Sequence, residues 1–182
     1  MLIYYATRDG QARRIAERIA RRLAESGIPS LPQNLAETAP LALALEEHSP
    51  IVLVAAVRYG YHLPEADAFL TRYSALTRPA PLVLLSVNLT ARKPGKSTAE
   101  GNAYLRAVIR RHRLQPVIAS AIAGCLDYSR YRWLDRQMIR FIMRLTGGPT
   151  DTEARIEFTD WDQVDDLAQR IVEFCAGSGR TV

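Results

Sequence analysis

Three features of the sequence predict an α/β fold built on a doubly wound parallel sheet. Short apolar runs alternate with amphipathic helical patterns along the chain. The run at residues 51–57 is continuously apolar, which is typical of a strand buried on both faces of a parallel sheet, and residues 81–87 are predicted to be a second buried strand. The strands end in polar or glycine-containing loops that precede helices, as crossover connections require. We therefore expect five parallel strands in the order 2-1-3-4-5.

The elements follow from the first strand, residues 2–5, which leads into a helix with apolar residues at helical spacing. A weak strand is expected within residues 28–35, at an edge, because prolines are tolerated there. Asp160 is expected to cap the closing helix. The remaining predicted strands are residues 51–57, 81–87 and 117–125, and the remaining predicted helices are residues 41–47, 63–75, 99–112 and 161–175.

Length, charge and cysteine content limit the class of protein. The 182 residues suffice for one domain, residues 1–182, with a full core. Two cysteines provide no disulfide framework and suit a reducing compartment. The net charge of +5 favours an anionic partner, whether nucleic acid, anionic lipid or a carboxylate substrate. No apolar run reaches the roughly 18–20 residues of a membrane span, and no signal-peptide pattern is present, so we expect a soluble or peripheral protein.

The loop after the first strand is a predicted phosphate site. A strand that turns sharply into a helix directs the helix N–H groups and its positive dipole end at the loop. Gly10 permits close backbone approach, and the Thr7 hydroxyl offers another hydrogen bond. The loop matches neither the dinucleotide fingerprint nor the nucleotide-triphosphate loop. The candidate residues of this loop are Thr7, Arg8, Asp9, Gly10, Gln11 and Ala12.

Two further loops are expected beside this one, because the carboxyl ends of parallel strands meet at one edge of the sheet. Tyr59 or Tyr61 offers a face on which a planar ring can stack, and Gly60 permits close backbone approach. A phosphate cradle beside an aromatic slot suits a flavin mononucleotide. The candidate residues of these two loops are Val57, Arg58, Tyr59 and Gly60, then Ser86, Val87, Asn88 and Leu89.

Residues 127–151 form a predicted insertion before the closing helix. Within it, residues 131–145 have the pattern of a basic amphipathic helix. Residues 128–145 contain five arginines and one aspartate, a net charge of +4. Such a helix suits an anionic membrane surface, or it packs on its own domain with a solvated basic face, and the pattern does not decide between them. Its arginine ladder is Arg132, Arg136, Arg140 and Arg144, opposite Leu134, Met138, Phe141, Ile142 and Leu145.

The sequence resembles the flavodoxin-like, menaquinone-dependent protoporphyrinogen oxidases of bacteria. The resemblance covers essentially the whole chain, and the arginine-rich insertion is its most specific part, because plain flavodoxins share only the fold and the FMN loops. The resembling stretches are Thr7-Arg8-Asp9-Gly10-Gln11, Arg58-Tyr59-Gly60, Ser86-Val87-Asn88-Leu89, Ala91-Arg92-Lys93-Pro94, Asn102-Ala103-Tyr104, Ala123-Gly124, Arg130-Tyr131-Arg132-Trp133, Gly147-Gly148, Thr150-Asp151-Thr152 and Thr159-Asp160-Trp161.

The resemblance implies FMN-dependent oxidation of protoporphyrinogen IX to protoporphyrin IX in heme biosynthesis, with electrons passed to menaquinone or another membrane quinone. It implies a peripheral location on the cytoplasmic face of the inner membrane, with no metal and no nucleic acid. A homo-oligomer is left open. Ala6 and Ala12 stand where relatives tend to carry hydroxyl groups, so we expect weaker FMN binding. The candidate substrate or membrane residues are Arg92, Lys93, Arg130, Arg132, Trp133, Arg136, Arg140 and Arg144.

Other functions stay open at this point. A flavodoxin-type electron carrier is one, although such carriers are usually acidic and this chain has a pI of about 9.5. An FMN-dependent quinone reductase fed by a nicotinamide cofactor is another, although nothing in the sequence resembles a nicotinamide site. A nucleic-acid binder is weaker, because the basic charge is concentrated in one amphipathic segment. We identify no general base, since the flavin would provide the chemistry.

Overall fold

A computed structural model of the chain describes residues 1–37, 50–127 and 155–178. The described strands are β1 (Leu2–Ala6), β2 (Leu31–Asn34), β3 (Ile51–Arg58), β4 (Tyr61–His62), β5 (Leu82–Val87), β6 (Ile118–Ile122), β7 (Cys125–Asp127) and β8 (Arg155–Glu157). The described α-helices are α1 (Gln11–Glu25), α2 (Pro64–Ser74), α3 (Ala103–His112) and α4 (Trp161–Ser178). A 3₁₀ turn, Leu89–Arg92, follows β5.

The central sheet has the predicted flavodoxin-like topology. Its five parallel strands lie in the order β2-β1-β3-β5-β6. When only these five strands are numbered along the chain, this is the predicted order 2-1-3-4-5. The difference in detail is β4, a two-residue strand antiparallel to β3. The edge strand β2 contains Pro32, in line with the prediction. All six residues of the interior strand β5 are buried, which explains why all of them except Ser86 are apolar.

Helices cover both faces of the sheet. Val52 and Val54 of β3 pack in one core cluster with residues of α1 and α4. Leu53 and Ala55 pack in a second cluster with residues of α2 and α3. This alternation follows from the two-residue period of a strand. The carboxyl ends of β1, β3 and β5 therefore lie side by side at one edge, between the two helical layers.

Side-chain caps set the beginnings of the last two described helices. The Asn102 side-chain oxygen accepts from the backbone N–H groups of Tyr104 and Leu105, so α3 begins at residue 103 and not at the predicted residue 99. Asp160 caps α4 as predicted, because its Oδ1 accepts from the backbone N–H groups two and three residues later, at 3.0 and 3.1 Å. α4 continues to Ser178, three residues beyond the predicted end.

The predicted strand at residues 117–125 is wrong as a single element. β6 ends at Ile122, and β7 begins three residues later outside the main sheet, where it pairs antiparallel with β8. Gly124 lies in the break between them, and its backbone carbonyl accepts from the Phe158 N–H at 3.1 Å. An apolar run that passes through a glycine therefore contains a change of sheet.

Part of the prediction lies outside the described residues: the helices at residues 41–47 and 131–145, and nearly all of the insertion at residues 127–151. The described residues do show where this insertion attaches, because Asp127 and Arg155 are partners in the β7–β8 ladder. Within the described ranges, no helix is long and apolar enough to cross a bilayer.

Candidate functional site

The loop between β1 and α1 is a tight turn closed by its own side chain. The Gly10 N–H donates to Thr7 Oγ1 at 3.0 Å. Gly10 itself has a φ of 88°, in the left-handed region, where a side chain costs roughly 1–2 kcal/mol. Thr7 and Gly10 thus act together to turn the chain directly from the strand into the helix.

The N-terminus of α1 has the features of an anion site. Among the described residues no side chain caps it, and its first turn contains no acidic residue. The first N–H groups of a helix have no partner within the helix, and the helix dipole adds a partial positive charge. The Thr7 hydroxyl accepts from Gly10 and keeps its own proton to donate. This arrangement suits a phosphate.

Gln11 and Ala12 contribute to this end of the site through their backbone. The Gln11 amide nitrogen donates to Glu157 and Thr159 at 3.0 and 2.7 Å, and its oxygen accepts from Arg14 at 3.0 Å. Its side chain is therefore already engaged. The Ala12 side chain is fully buried in the core cluster under α1, so a larger residue there has to displace core atoms.

The second loop is a two-residue hairpin between β3 and β4. Tyr59 and Gly60 have φ values of 54° and 87°, and positive φ at both central residues is the requirement of a type I′ turn. Tyr59 is 55% exposed, and the Arg58 guanidinium lies 5.2 Å from the centre of its ring. Arg58 also pairs with Asp9 at 3.5 Å, which joins this hairpin to the first loop.

The third loop follows β5 and is held by a buried polar network. Asn88 is 4% exposed and Asn102 is fully buried. The Asn102 amide donates to Asn88 Oδ1 at 3.0 Å and to the Lys96 carbonyl at 3.0 Å. Asn88 Oδ1 also accepts from the Ala91 N–H at 3.2 Å, which forms the first turn of the 3₁₀ segment. The loop is thus fixed at both ends by paired amides.

Ser86 belongs to the support of the site and does not line the cavity. It is fully buried, and its hydroxyl lies 2.9 Å from His62 Nε2 and accepts from Asn88 Nδ2 at 3.1 Å. Burial lowers the pKa of His62 to about 4, against a smaller opposing effect of Asp67. His62 is therefore neutral at pH 7 and donates or accepts hydrogen bonds without carrying charge.

These three loops enclose one cavity of about 430 Å³ at the carboxyl edge of the sheet. This volume lies within the usual range for small-molecule sites. Twelve of the fourteen predicted cofactor residues line it, all except Gly10 and Ser86, and so do Arg92 and Lys93. Sequence reasoning missed the remaining lining residues, which are Ala56, Leu63, Thr90, Tyr104, Gly124 and Cys125.

Residues 157–159, just after the predicted insertion, contact the cavity walls from outside. Glu157 accepts from Gln11 at 3.0 Å and from Arg14 at 2.9 Å. Burial raises the pKa of Glu157, but the hydrogen bonds from Arg14 and Gln11 outweigh it and lower the pKa below its ordinary value. The ring of Phe158 lies 5.5 Å from the Arg92 guanidinium. Glu157, the last residue of β8, thereby contacts the first loop, and Phe158, the next residue, contacts the third.

The six remaining predicted residues lie outside the described part of the chain. They are the insertion residues Arg130, Arg132, Trp133, Arg136, Arg140 and Arg144. Their assignment to substrate or membrane remains a prediction from the sequence.

Fold and cavity together define a flavodoxin-like protein whose site suits a phosphate-bearing planar cofactor. The family model for the flavodoxin domain matches residues 2–153. A flavodoxin from Streptococcus pneumoniae TIGR4 is similar in structure, with a TM-score of 0.55 at 12% identity over 97% of both chains. The rubredoxin oxygen:oxidoreductase of Desulfovibrio gigas has a TM-score of 0.58 at 10% identity over 99% of this chain and 37% of its own. At such low identity these likenesses show the fold alone.

Sequence similarity narrows the class further. The protoporphyrinogen IX dehydrogenase (quinone) of Escherichia coli strain K12 is 38% identical over 170 residues, which are 93% of each chain. The chain belongs to the flavodoxin-domain family of protoporphyrinogen IX dehydrogenases. The resemblance predicted from its motifs is confirmed.

Proposed function

We propose that the protein binds FMN in this cavity and oxidises protoporphyrinogen IX to protoporphyrin IX, passing the electrons to menaquinone or another membrane quinone. The main supporting observation is the cavity at the carboxyl edge of the sheet, which has at one end the N-terminus of α1, capped by no side chain of the described residues, and beside it an aromatic, apolar wall. The printed name of the Escherichia coli relative, which specifies protoporphyrinogen IX and a quinone, supports the same proposal. The reaction places the protein in heme biosynthesis.

The residues present fit FMN. The first N–H groups of α1 and the Thr7 hydroxyl would hold the phosphate. Tyr59 and Tyr104 would lie against the ring system, while Gly60 and Gly124 let the backbone approach it. When bound, the flavin supplies a two-electron acceptor, which no ordinary side chain can provide.

The residues of the protein would therefore bind the FMN and orient it. The Asp9–Arg58 ion pair holds the first two loops together, and the Asn88–Asn102 amides hold the third. Neutral His62 contacts the hydroxyl of Ser86 in β5 and so supports this strand. Three two-electron rounds complete the aromatic macrocycle, so the substrate has to stay bound or to rebind between rounds.

We also propose that the protein works as a peripheral protein on the cytoplasmic face of the inner membrane, where its quinone is found. The support for this is the sequence pattern of residues 128–145, with five arginines and one aspartate. Neither a metal nor a nucleic acid is part of the proposal, and the homo-oligomer stays open.

An anaerobic assay tests the proposed function and separates it from its alternatives. The purified protein is reconstituted with FMN and mixed with protoporphyrinogen IX and a menaquinone analogue. We expect one FMN per chain and quinone-dependent formation of protoporphyrin, seen by its fluorescence. A protein that binds FMN but reduces quinone only with a nicotinamide cofactor is instead a quinone reductase. One that binds FMN and uses neither substrate is an electron carrier.

A further inference from the structure

Gln11 connects the phosphate loop to a distant part of the chain. It is the first residue of α1 and lines the cavity, although only 6% of it is exposed. Its side-chain amide donates to Glu157 Oε1 at 3.0 Å and to Thr159 Oγ1 at 2.7 Å. The Gln11 side chain therefore attaches the first turn of α1 to the residues that end and follow β8.

Thr159 extends this attachment to the wall of the cavity. Its hydroxyl accepts from Gln11 and donates to the Ala123 carbonyl at 2.7 Å. Glu157, two residues earlier, lies opposite Cys125 in the β7–β8 ladder, and Cys125 lines the cavity. The short segment at the end of β8 thus joins the first turn of α1 to the chain that follows β6.

The Glu157 carboxylate is held on both of its oxygens. Oε1 accepts from Gln11 and from Trp161 Nε1, both at 3.0 Å, and Oε2 accepts from Arg14 at 2.9 Å. Arg14 also donates to the Gln11 side-chain oxygen at 3.0 Å, and its guanidinium lies 5.2 Å from the centre of the Trp161 ring. Because Arg14 balances the charge of the carboxylate, this cluster acts on the phosphate loop through its geometry.

The first turn of α1 needs such support because its own end provides little. Helix ends fray, and a side-chain cap is the usual means of holding the first turn. Among the described residues no side chain caps α1, and the turn is instead attached through Gln11 at its first position. The N–H groups of this turn are the proposed phosphate donors. They bind an anion most tightly when they are already held in place before it arrives.

We propose that Gln11 is a positioning residue which, with Glu157 and Thr159, holds the first turn of α1 in the geometry that binds a phosphate. This inference rests on the proposed function through its cofactor, FMN. By thermodynamic linkage, contacts that favour phosphate binding are themselves favoured when a phosphate binds. Occupation of the phosphate site should therefore also stabilise the β7–β8 ladder, from which residues 128–154 depart.

Riboflavin, which has the ring system of FMN but no phosphate, provides the test. Both flavins are titrated into the full-length protein after its flavin has been removed, and binding is followed by flavin fluorescence. Gln11→Leu nearly keeps the size of the side chain and removes its hydrogen bonds. We expect this variant to weaken FMN binding by at least about tenfold, the effect of losing one or two hydrogen bonds. Its affinity for riboflavin should stay the same.

Thr159 provides a pair of variants on the other side of the contact. Thr159→Val removes the hydroxyl to which Gln11 donates, so it should weaken FMN binding without affecting riboflavin. Thr159→Ser keeps that hydroxyl and should bind FMN as the native protein does.

Gln163→Leu is the matched control. The Gln163 amide also donates to a hydroxyl and a carbonyl, those of Ser120 and Ala121, but this residue does not line the cavity. The variant should leave the ratio of FMN to riboflavin affinity unchanged. Thermal stability is measured for every variant to show that it is folded.

Hydrogen–deuterium exchange measures the reciprocal effect. Exchange is followed at the amides of β7 and β8 and at Phe158, whose N–H donates to the Gly124 carbonyl. The native protein is compared without flavin, with saturating FMN and with saturating riboflavin. We expect FMN to slow this exchange by at least about threefold more than riboflavin does. In Gln11→Leu the difference between the two flavins should disappear.

The outcomes separate this inference from the proposed function. Equal losses of FMN and riboflavin affinity in Gln11→Leu refute the positioning role, because the residue then supports the whole cavity. Native FMN affinity in Thr159→Val, a Gln163→Leu effect as large as that of Gln11→Leu, or equal protection of the ladder by both flavins also refutes it. If the phosphate dependence is as expected but no porphyrinogen is oxidised, the proposed reaction fails and the positioning role stands. If the native protein binds no FMN, both fail.

Discussion

Replacement of Asn102 tests two roles that this residue combines, the capping of α3 and the support of the third loop. It is fully buried, caps α3 with its side-chain oxygen, and donates with its amide nitrogen to Asn88 Oδ1 and the Lys96 carbonyl. Asn102→Ala removes a cap worth about 0.5–2 kcal/mol. It also removes the donor of a partly buried carbonyl, at a cost of about 1–3 kcal/mol.

The expected loss for Asn102→Ala is therefore about 3 kcal/mol, which corresponds to a fall in Tm of about 6–12 °C for a domain of this size. Asn102→Ser keeps an oxygen for the cap but has no amide to donate. It should lose about 1 kcal/mol less than the alanine variant, and this difference measures the cap. Because the network holds the third loop, both variants should also bind FMN more weakly.

Urea unfolding and FMN titration of the three proteins provide the measurements. Free energies of unfolding within about 0.5 kcal/mol of the native value for both variants would contradict a structural role of Asn102, because this is the range of an ordinary surface substitution. A loss of stability with unchanged FMN affinity would show that the network supports α3 without supporting the cavity.

Three further predictions concern the phosphate loop, the α1–α4 contact and the insertion. Gly10→Val should abolish FMN binding measured by flavin fluorescence, whereas Gly27→Val, which has a similar positive φ and open space around it, should suffer the same strain and keep FMN. Asp165 pairs with Arg18 and Arg22, and their hydrogen bonds hold its pKa below the ordinary value, so this pairing stabilises the fold above about pH 4 and is lost as pH falls below it. Asp165→Asn should lower Tm by a few degrees at pH 7, and the gap to the native protein should close toward pH 2 in thermal scans; a gap independent of pH would contradict this. Replacing Arg132, Arg136, Arg140 and Arg144 with glutamine should weaken binding to anionic vesicles by at least about tenfold, since each arginine near such a surface contributes about 1 kcal/mol, while FMN binding and Tm stay unchanged. Full vesicle binding by that variant would refute the membrane role of the ladder.

The sheet could be predicted because its strands are buried on both faces. Residues 51–57 are apolar throughout and residues 82–87 are apolar except for Ser86, and this left a clear pattern. The loops that follow them were placed correctly at one cavity, because parallel strands bring their carboxyl ends together.

Long-range side-chain contacts account for what the sequence could not predict. The Gln11 amide donates to Glu157 and Thr159, which are 146 and 148 residues away, so the loop motif alone could not predict these contacts. Tyr104 reaches the cavity from the start of α3 because Asn102 turns the chain there. The change of sheet at Gly124 could not be predicted, because the pairing of β7 with β8 depends on residues that follow the insertion.

The β7–β8 ladder has a consequence for how this protein can vary. Because Asp127 and Arg155 are direct partners, the chain that departs from one must return to the other whatever lies between them. The entropy lost on closing the segment between these two residues depends only weakly on its length, so insertions and deletions there should change the free energy of unfolding little. A change in the length of residues 128–154 should therefore leave the sheet and its cavity in place.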